Sequence, residues 1–119
     1  IRYLEAGIKK KSDLPVGGGL IPARASLIEV ISGQRVPVTK LPFYIGSLQD
    51  QSDMIPNTPG ISRRHAELRE EAGQYVLIDV GSRNGTYVNG KRLMTGAKEL
   101  INPGDHICFA GAEYRFHRE

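Results

Sequence analysis

The chain has 119 residues, a length that suits one domain whose core is large enough to fold without disulfide or metal staples. Cys108 is the only cysteine, so an internal disulfide is excluded and a reducing compartment is favoured. No apolar run approaches the ~18 residues of a membrane-spanning helix, and no segment has the pattern of a signal peptide. Because the sequence starts at Ile1 and not at methionine, we expect a fragment or a processed piece.

The net charge of +3 is distributed unevenly along the chain. Residues 1–40 hold seven basic and three acidic residues, whereas residues 41–119 hold nine basic and ten acidic ones. The larger part is therefore nearly neutral, which argues against a surface that coats nucleic acid, and we expect no nucleic-acid partner. Binding through the basic first segment is the alternative, and it would show as an affinity that falls steeply with salt.

The first 25 residues read as an arm or linker, because three consecutive glycines and two prolines interrupt any periodic pattern. The domain is predicted to span 26–119. Within it, β-branched or alternating runs are typical of half-buried strands. In chain order they cover 27–31, 43–45, 54–55, 65–71 and 75–80.

The second half continues with short strands and tight turns. Residues 86–88 lead through Asn89-Gly90, a strong hairpin signal, into 91–93. A second hairpin is predicted from 107–109 to 114–116, and no amphipathic helix is evident. Many short strands at even spacing predict an all-β fold, either a sandwich or a barrel.

Two loops at strand ends carry the polar chemistry, 61–65 and 81–86. Each combines serine and arginine, and the second adds an asparagine and two glycines. Guanidinium groups match the paired oxygens of a phosphate, and serine hydroxyls with loop N–H groups complete an anion cradle. Asn84 carries a donor and an acceptor, which suits the main chain of an extended peptide. The two loops together predict a phosphopeptide site.

These motifs resemble the forkhead-associated (FHA) domain family over roughly residues 26–119. The matching segments are SRRH at 62–65, GSRNGT at 81–86, VNG at 88–90 and GD at 104–105. The resemblance implies a two-sheet β-sandwich of about eleven strands, of the FHA/SMAD type and without substantial helix. It also implies a monomeric, cytoplasmic binding module that is not an enzyme. The expected partner is a phosphothreonine-containing protein or peptide, such as a serine/threonine kinase or its substrate.

The resemblance assigns roles to individual residues. Ser62 would hydrogen-bond the phosphate, Arg63 and Arg83 would contact it by charge, and Asn84 would bond the peptide main chain. Ser47 and Arg64 complete the predicted phosphopeptide site. The predicted loop supports are Gly46, His65, Gly81, Ser82, Gly85 and Thr86.

One position departs from the family pattern. Family members usually carry arginine directly after the glycine that ends the early strand, and here Ser47 follows Gly46. Losing such a charged contact weakens binding by roughly ten- to a hundredfold. Either Arg64 or Arg83 compensates, or the domain is a degenerate scaffold that binds a protein partner without phosphate.

Other site chemistries fit the sequence less well. Ser62 and His65 lack the strand–turn–helix frame of a serine hydrolase. His106 and Cys108 do not have the spacing of a zinc site, and the glycine run at 17–19 lacks the lysine and hydroxyl of a nucleotide-binding loop. We therefore expect no metal and no cofactor.

Overall fold

A computed structural model describes residues 24–119, so the predicted arm lies outside the described residues except for its last two positions. The described part contains one three-residue 3-10 turn, Gln49–Gln51. Its strands are β1 (Ala25–Glu29), β2 (Arg35–Pro37), β3 (Phe43–Ile45), β4 (Ala66–Glu71), β5 (Gln74–Asp79), β6 (Thr86–Val88), β7 (Lys91–Arg92), β8 (Lys98–Ile101), β9 (His106–Phe109) and β10 (Ala112–Arg118).

The strands form two sheets, which confirms the predicted β-sandwich. One sheet has six strands in the order β2-β1-β10-β9-β6-β7, and the other has four in the order β3-β4-β5-β8. Neighbouring strands in both sheets pair antiparallel. Ten strands are thus described where about eleven were expected. No helix in residues 24–119 has the length and apolar character needed to cross a bilayer.

The core lies between the sheets and follows from the alternation of apolar residues. Along β10, Tyr114 and Phe116 are buried, whereas the intervening Arg115 is exposed. Leu68 and Leu77 are opposite each other on β4 and β5, and both are buried. Fully burying a side chain of this size contributes about 1.5–3 kcal/mol, so these inward positions fix which face of each strand points inward.

The strand predictions failed at four places. Residues 30–31 lie in an exposed turn, where Ile31 is 92% exposed. Met54 makes only an isolated parallel bridge to Ile45. The short edge strands β2 and β8 were missed because their sequences are polar or contain proline.

The strand register brings three loop-bearing strand ends together. Ala66, the first residue of β4, is opposite Asp79, the last residue of β5, and also opposite Ile45, the last residue of β3. The loops that follow β3, precede β4 and follow β5 therefore leave the same end of the sheet. The last of them crosses from the four-stranded sheet to β6 in the six-stranded sheet.

Candidate functional site

The loop after β3 continues to pair with the segment before β4. The backbone N–H of Ser47 donates to the carbonyl of Ser62 at 3.0 Å, and that of Leu48 donates to Arg63 at 3.3 Å. Gly46 allows this close approach, because a Cβ at that position would lie 2.1 Å from the carbonyl oxygen of Arg63. The backbone of the SRRH segment is thereby held on one side.

His65 connects the two signature loops, 61–65 and 81–86, on the side of the hydrophobic core. Its side chain is fully buried, and its ring lies edge-on to Phe109 with the centroids 5.9 Å apart. Nδ1 accepts the backbone N–H of Ser62 at 3.2 Å, so Nε2 carries the proton and donates to the carbonyl of Gly85 at 2.9 Å. One imidazole thus sets the spacing between the two loops.

Ser62 and Arg83 make a second link between the loops. The backbone N–H of Arg83 donates to Oγ of Ser62 at 3.0 Å. A hydroxyl oxygen accepts while its own proton stays available, so this contact leaves Ser62 able to donate to an anion. The contact also fixes the direction in which the hydroxyl points.

Asp79 organises the loop that follows β5. Asp79 is 2% exposed, and its carboxylate accepts the N–H groups of Gly81 at 2.9 Å and Ser82 at 3.0 Å. The hydroxyls of Ser82 and Thr86 donate to the same group, the latter at 2.8 Å. Burial raises the pKa of Asp79, but the hydrogen bonds from Ser82, Gly81 and Thr86 outweigh it, and the net pKa lies below the usual value.

Asn84 is held by a glycine of the facing loop. Its amide Nδ2 donates to the carbonyl of Gly60 at 2.9 Å, and within residues 24–119 the amide oxygen has no hydrogen-bond donor and can accept one from a ligand. Gly60 has φ +90°, and a Cβ there would lie 2.6 Å from Nδ2 of Asn84. A side chain at position 60 would therefore displace the asparagine.

The loops enclose an open cleft of ≈ 670 Å³. Six predicted site and support residues line it, and the remaining lining comes from Leu48, Gly60 and Ile61. The six are Ser62, Arg63, Arg64, Gly81, Arg83 and Asn84. Three arginines thus line the cleft, and no carboxylate of the described residues lines it. We call this cleft the phosphate cleft because its charge suits a dianion.

The other predicted residues surround the phosphate cleft without lining it. Ser47 is exposed and reaches the neighbouring loop through its backbone, so a ligand role for its hydroxyl stays a prediction. The cleft lining also omits five predicted support residues, which bond or pack within and beside the loops: Gly46, His65, Ser82, Gly85 and Thr86. Arg64 lines the cleft while its Nη2 donates to Oε1 of Gln51 at 2.6 Å, toward the 3-10 turn.

Sequence reasoning missed two residues that shape the phosphate cleft. Asp79 was not assigned a role from the sequence, although an aspartate two and three residues before Gly81 and Ser82 is a recognisable capping signal. Gly60 had no signal beyond the Pro-Gly dipeptide, because its partner Asn84 lies 24 positions away.

The fold is a two-sheet β-sandwich with an arginine-lined cleft at one end, and the sequence comparison agrees with this architecture. The sequence model of the FHA domain matches residues 43–110, more than half of the chain. The chain belongs to the FHA domain family.

Similar proteins include regulators. The transcriptional regulatory protein EmbR of Mycobacterium tuberculosis is 32% identical over 94 residues, which cover 79% of this chain and 24% of EmbR. The oxoglutarate dehydrogenase inhibitor of Corynebacterium glutamicum is 37% identical over 94 residues, which cover 76% of this chain and 64% of the inhibitor. The chain thus spans between about a quarter and just under two thirds of the length of these relatives.

Two solved structures share the fold. Mycobacterium tuberculosis EmbR in complex with a low-affinity phosphopeptide has a TM-score of 0.74 and 31% identity, and the match covers 82% of this chain and 25% of that one. An FHA domain analysed for phosphothreonine-dependent interactions has a TM-score of 0.70 and 26% identity, with 80% and 96% covered.

Proposed function

We propose that this domain binds a phosphothreonine-containing segment of a protein partner in the phosphate cleft and performs no chemistry on it. The supporting observation is that three arginines, Ser62 and Asn84 line one cleft that has no acidic residue in its lining. A dianion in such surroundings forms several charge-assisted hydrogen bonds, each contributing about 1.5–3 kcal/mol.

Each side chain has a distinct role in this proposal. The hydroxyl proton of Ser62 donates to a phosphate oxygen, because the hydroxyl oxygen already accepts from Arg83. The guanidinium groups of Arg63, Arg64 and Arg83 neutralise the phosphate. The free amide oxygen of Asn84 accepts an N–H of the peptide main chain, which holds the peptide extended.

Paired titrations test the proposal. A short peptide with a central phosphothreonine should bind, and the same peptide with threonine should bind at least tenfold more weakly. Arg63→Ala and Asn84→Ala should each weaken the phosphopeptide by about tenfold or more. Arg115→Ala is the matched control, because it removes the same charge from an exposed position on the outer face of the six-stranded sheet. Its affinity should stay within about twofold, as expected for a surface charge far from the ligand.

The second candidate is a scaffold that binds a protein partner without phosphate. The observation that favours it is Ser47, an exposed serine in the position where the family usually has arginine. Equal binding of the phosphorylated and unphosphorylated peptides would support the scaffold and contradict phosphothreonine recognition.

We further infer a cytoplasmic setting in a serine/threonine kinase pathway, with the kinase or its substrate as partner. The names of the relatives, a transcriptional regulator and an enzyme inhibitor, support a regulatory module that is not itself an enzyme. Fractionation of cells that express the full-length protein tests the location. Limited proteolysis tests whether 26–119 is the folding unit, since cleavage should concentrate before residue 26.

A further inference from the structure

A second concave surface, of ≈ 620 Å³, adjoins the phosphate cleft. It lies on the outer face of the four-stranded sheet, where Tyr44 of β3 and Glu67 of β4 are opposite each other. Its apolar surface includes Tyr44, which is 40% exposed, and Val80, which is 38% exposed. We call this surface the flank groove.

Apart from Arg63 and Arg64, which also line the phosphate cleft, the flank groove has five charged side chains, and four of them form two ion pairs. Nζ of Lys40 lies 3.5 Å from Oδ1 of Asp53, and Nη2 of Arg69 lies 2.8 Å from Oε2 of Glu67. Nζ of Lys40 also lies 5.8 Å from the centre of the Tyr44 ring. Paired charges offer little to a second phosphate, whereas the exposed apolar surface between them suits an apolar side chain.

The flank groove and the phosphate cleft are continuous. Arg63 and Arg64 line both of them, and Val80 in the groove is followed directly by Gly81 in the cleft. An extended peptide advances about 3.3 Å per residue, so a few residues carry it from one surface to the other.

The lining residues also indicate the path by which a peptide passes from the cleft into the groove. Asn84 and Gly60 line only the phosphate cleft, whereas Gln51 lines only the groove and bonds Arg64 between the two. When Asn84 holds the main chain of a bound peptide, the peptide residues that run past Arg64 therefore enter the groove.

We propose that the flank groove binds the ligand residues that leave the phosphate cleft on the side away from Asn84. It selects an apolar side chain within the four positions next to the phosphothreonine. This inference rests on the proposed function, because the phosphate fixes the position of the peptide. Tyr44 and Val80 are the specificity-determining residues of the groove, and neither belongs to the signature loops.

A leucine scan of a phosphopeptide tests the groove. The parent peptide has nine residues, with phosphothreonine in the centre and alanine or serine elsewhere. Leucine replaces each of the eight flanking residues in turn, and affinities are measured by calorimetry. We expect a gain of about tenfold for at least one position on one flank, from partial burial of the leucine side chain.

Three variants make the test specific. Tyr44→Ala and Val80→Ser should each remove most of the gain, measured as the ratio of the leucine and parent affinities in the same variant. Ile31→Ala is the control, because it truncates an apolar side chain that is 92% exposed and lines neither surface. It should retain the gain. Amide NMR spectra establish that each variant is folded.

The outcomes separate the two proposals. If the parent phosphopeptide binds but no leucine gain depends on Tyr44 and Val80, the flank groove is refuted and the phosphate cleft stands. If the parent phosphopeptide binds no better than its unphosphorylated form, phosphothreonine recognition fails and the groove proposal fails with it.

Discussion

The substitution Asp79→Ala removes the carboxylate that organises the loop after β5. Four hydrogen bonds from Gly81, Ser82 and Thr86 are lost with it. Gly81 is exposed and Ser82 is half-buried, so water can accept part of the hydrogen bonds that these residues lose. The hydroxyl of Thr86 is fully buried and is left without a partner. One orphaned buried donor and several weakened charge-assisted bonds correspond to roughly 3 kcal/mol of unfolding free energy.

Urea unfolding followed by circular dichroism measures this loss, and thermal unfolding should show a drop of roughly 12–24 °C for a domain of this size. Asp50→Ala is the control, because that aspartate is exposed, and its unfolding free energy should change by no more than about 0.5 kcal/mol. The reasoning is refuted if Asp79→Ala stays within about 1 kcal/mol of the parent.

The same carboxylate should make stability depend on acid. Its pKa is lower in the folded state than its usual value of ~3.9, so folding favours the ionised form. The resulting stability is fully present above pH ~4 and is lost as the pH falls through the folded-state pKa. The difference in unfolding free energy between the parent and Asp79→Asn should therefore shrink below pH ~4. A difference that stays constant from pH ~6 to ~2 would contradict the assigned role.

Three further substitutions probe the loop architecture. Gly46→Ala should destabilise the fold by about 1–3 kcal/mol and weaken phosphopeptide binding, because the new Cβ would clash with the carbonyl of Arg63. Unchanged unfolding free energy and unchanged peptide affinity would contradict that close approach. His65→Ala should lower the unfolding free energy by about 3 kcal/mol, since it opens a buried cavity and removes the hydrogen bond to Gly85. Urea denaturation measures the loss, and a value below about 1 kcal/mol would contradict the bridging role of His65. Ser47→Arg should tighten phosphopeptide binding by about tenfold in the same titrations, and an unchanged affinity would mean that the position does not reach the ligand.

The sequence was most informative where burial imposes a pattern. The alternation in 65–71 predicted β4, where Ala66 and Leu68 are buried, and the apolar run in 75–80 predicted β5, where residues 75–79 are all buried. An edge strand has a neighbouring strand on one side only, so burial imposes a weaker residue pattern on it. Arg35–Pro37 and Lys98–Ile101 therefore carry charge and proline, and only their pairing partners reveal them.

The site was predictable to the extent that its chemistry lies in contiguous motifs. Ser62 and Asn84 were found because hydroxyl, guanidinium and amide groups cluster in two short loops. Their coupling was not predictable from local pattern, since the bond from Asn84 to Gly60 joins residues 24 positions apart. The flank groove was not predictable for the same reason, because only strand pairing brings Tyr44 and Val80 to one surface.

The chain segment between β5 and β6 passes from one sheet of the sandwich to the other. A phosphopeptide bound to this segment would contact residues connected to both sheets. Unfolding of either sheet would therefore require the peptide to dissociate first. At a free ligand concentration one hundred times the dissociation constant, ligand binding adds about 2.7 kcal/mol to the free energy of unfolding. Occupancy of the phosphate cleft would then be measurable as a rise in the unfolding free energy of the domain.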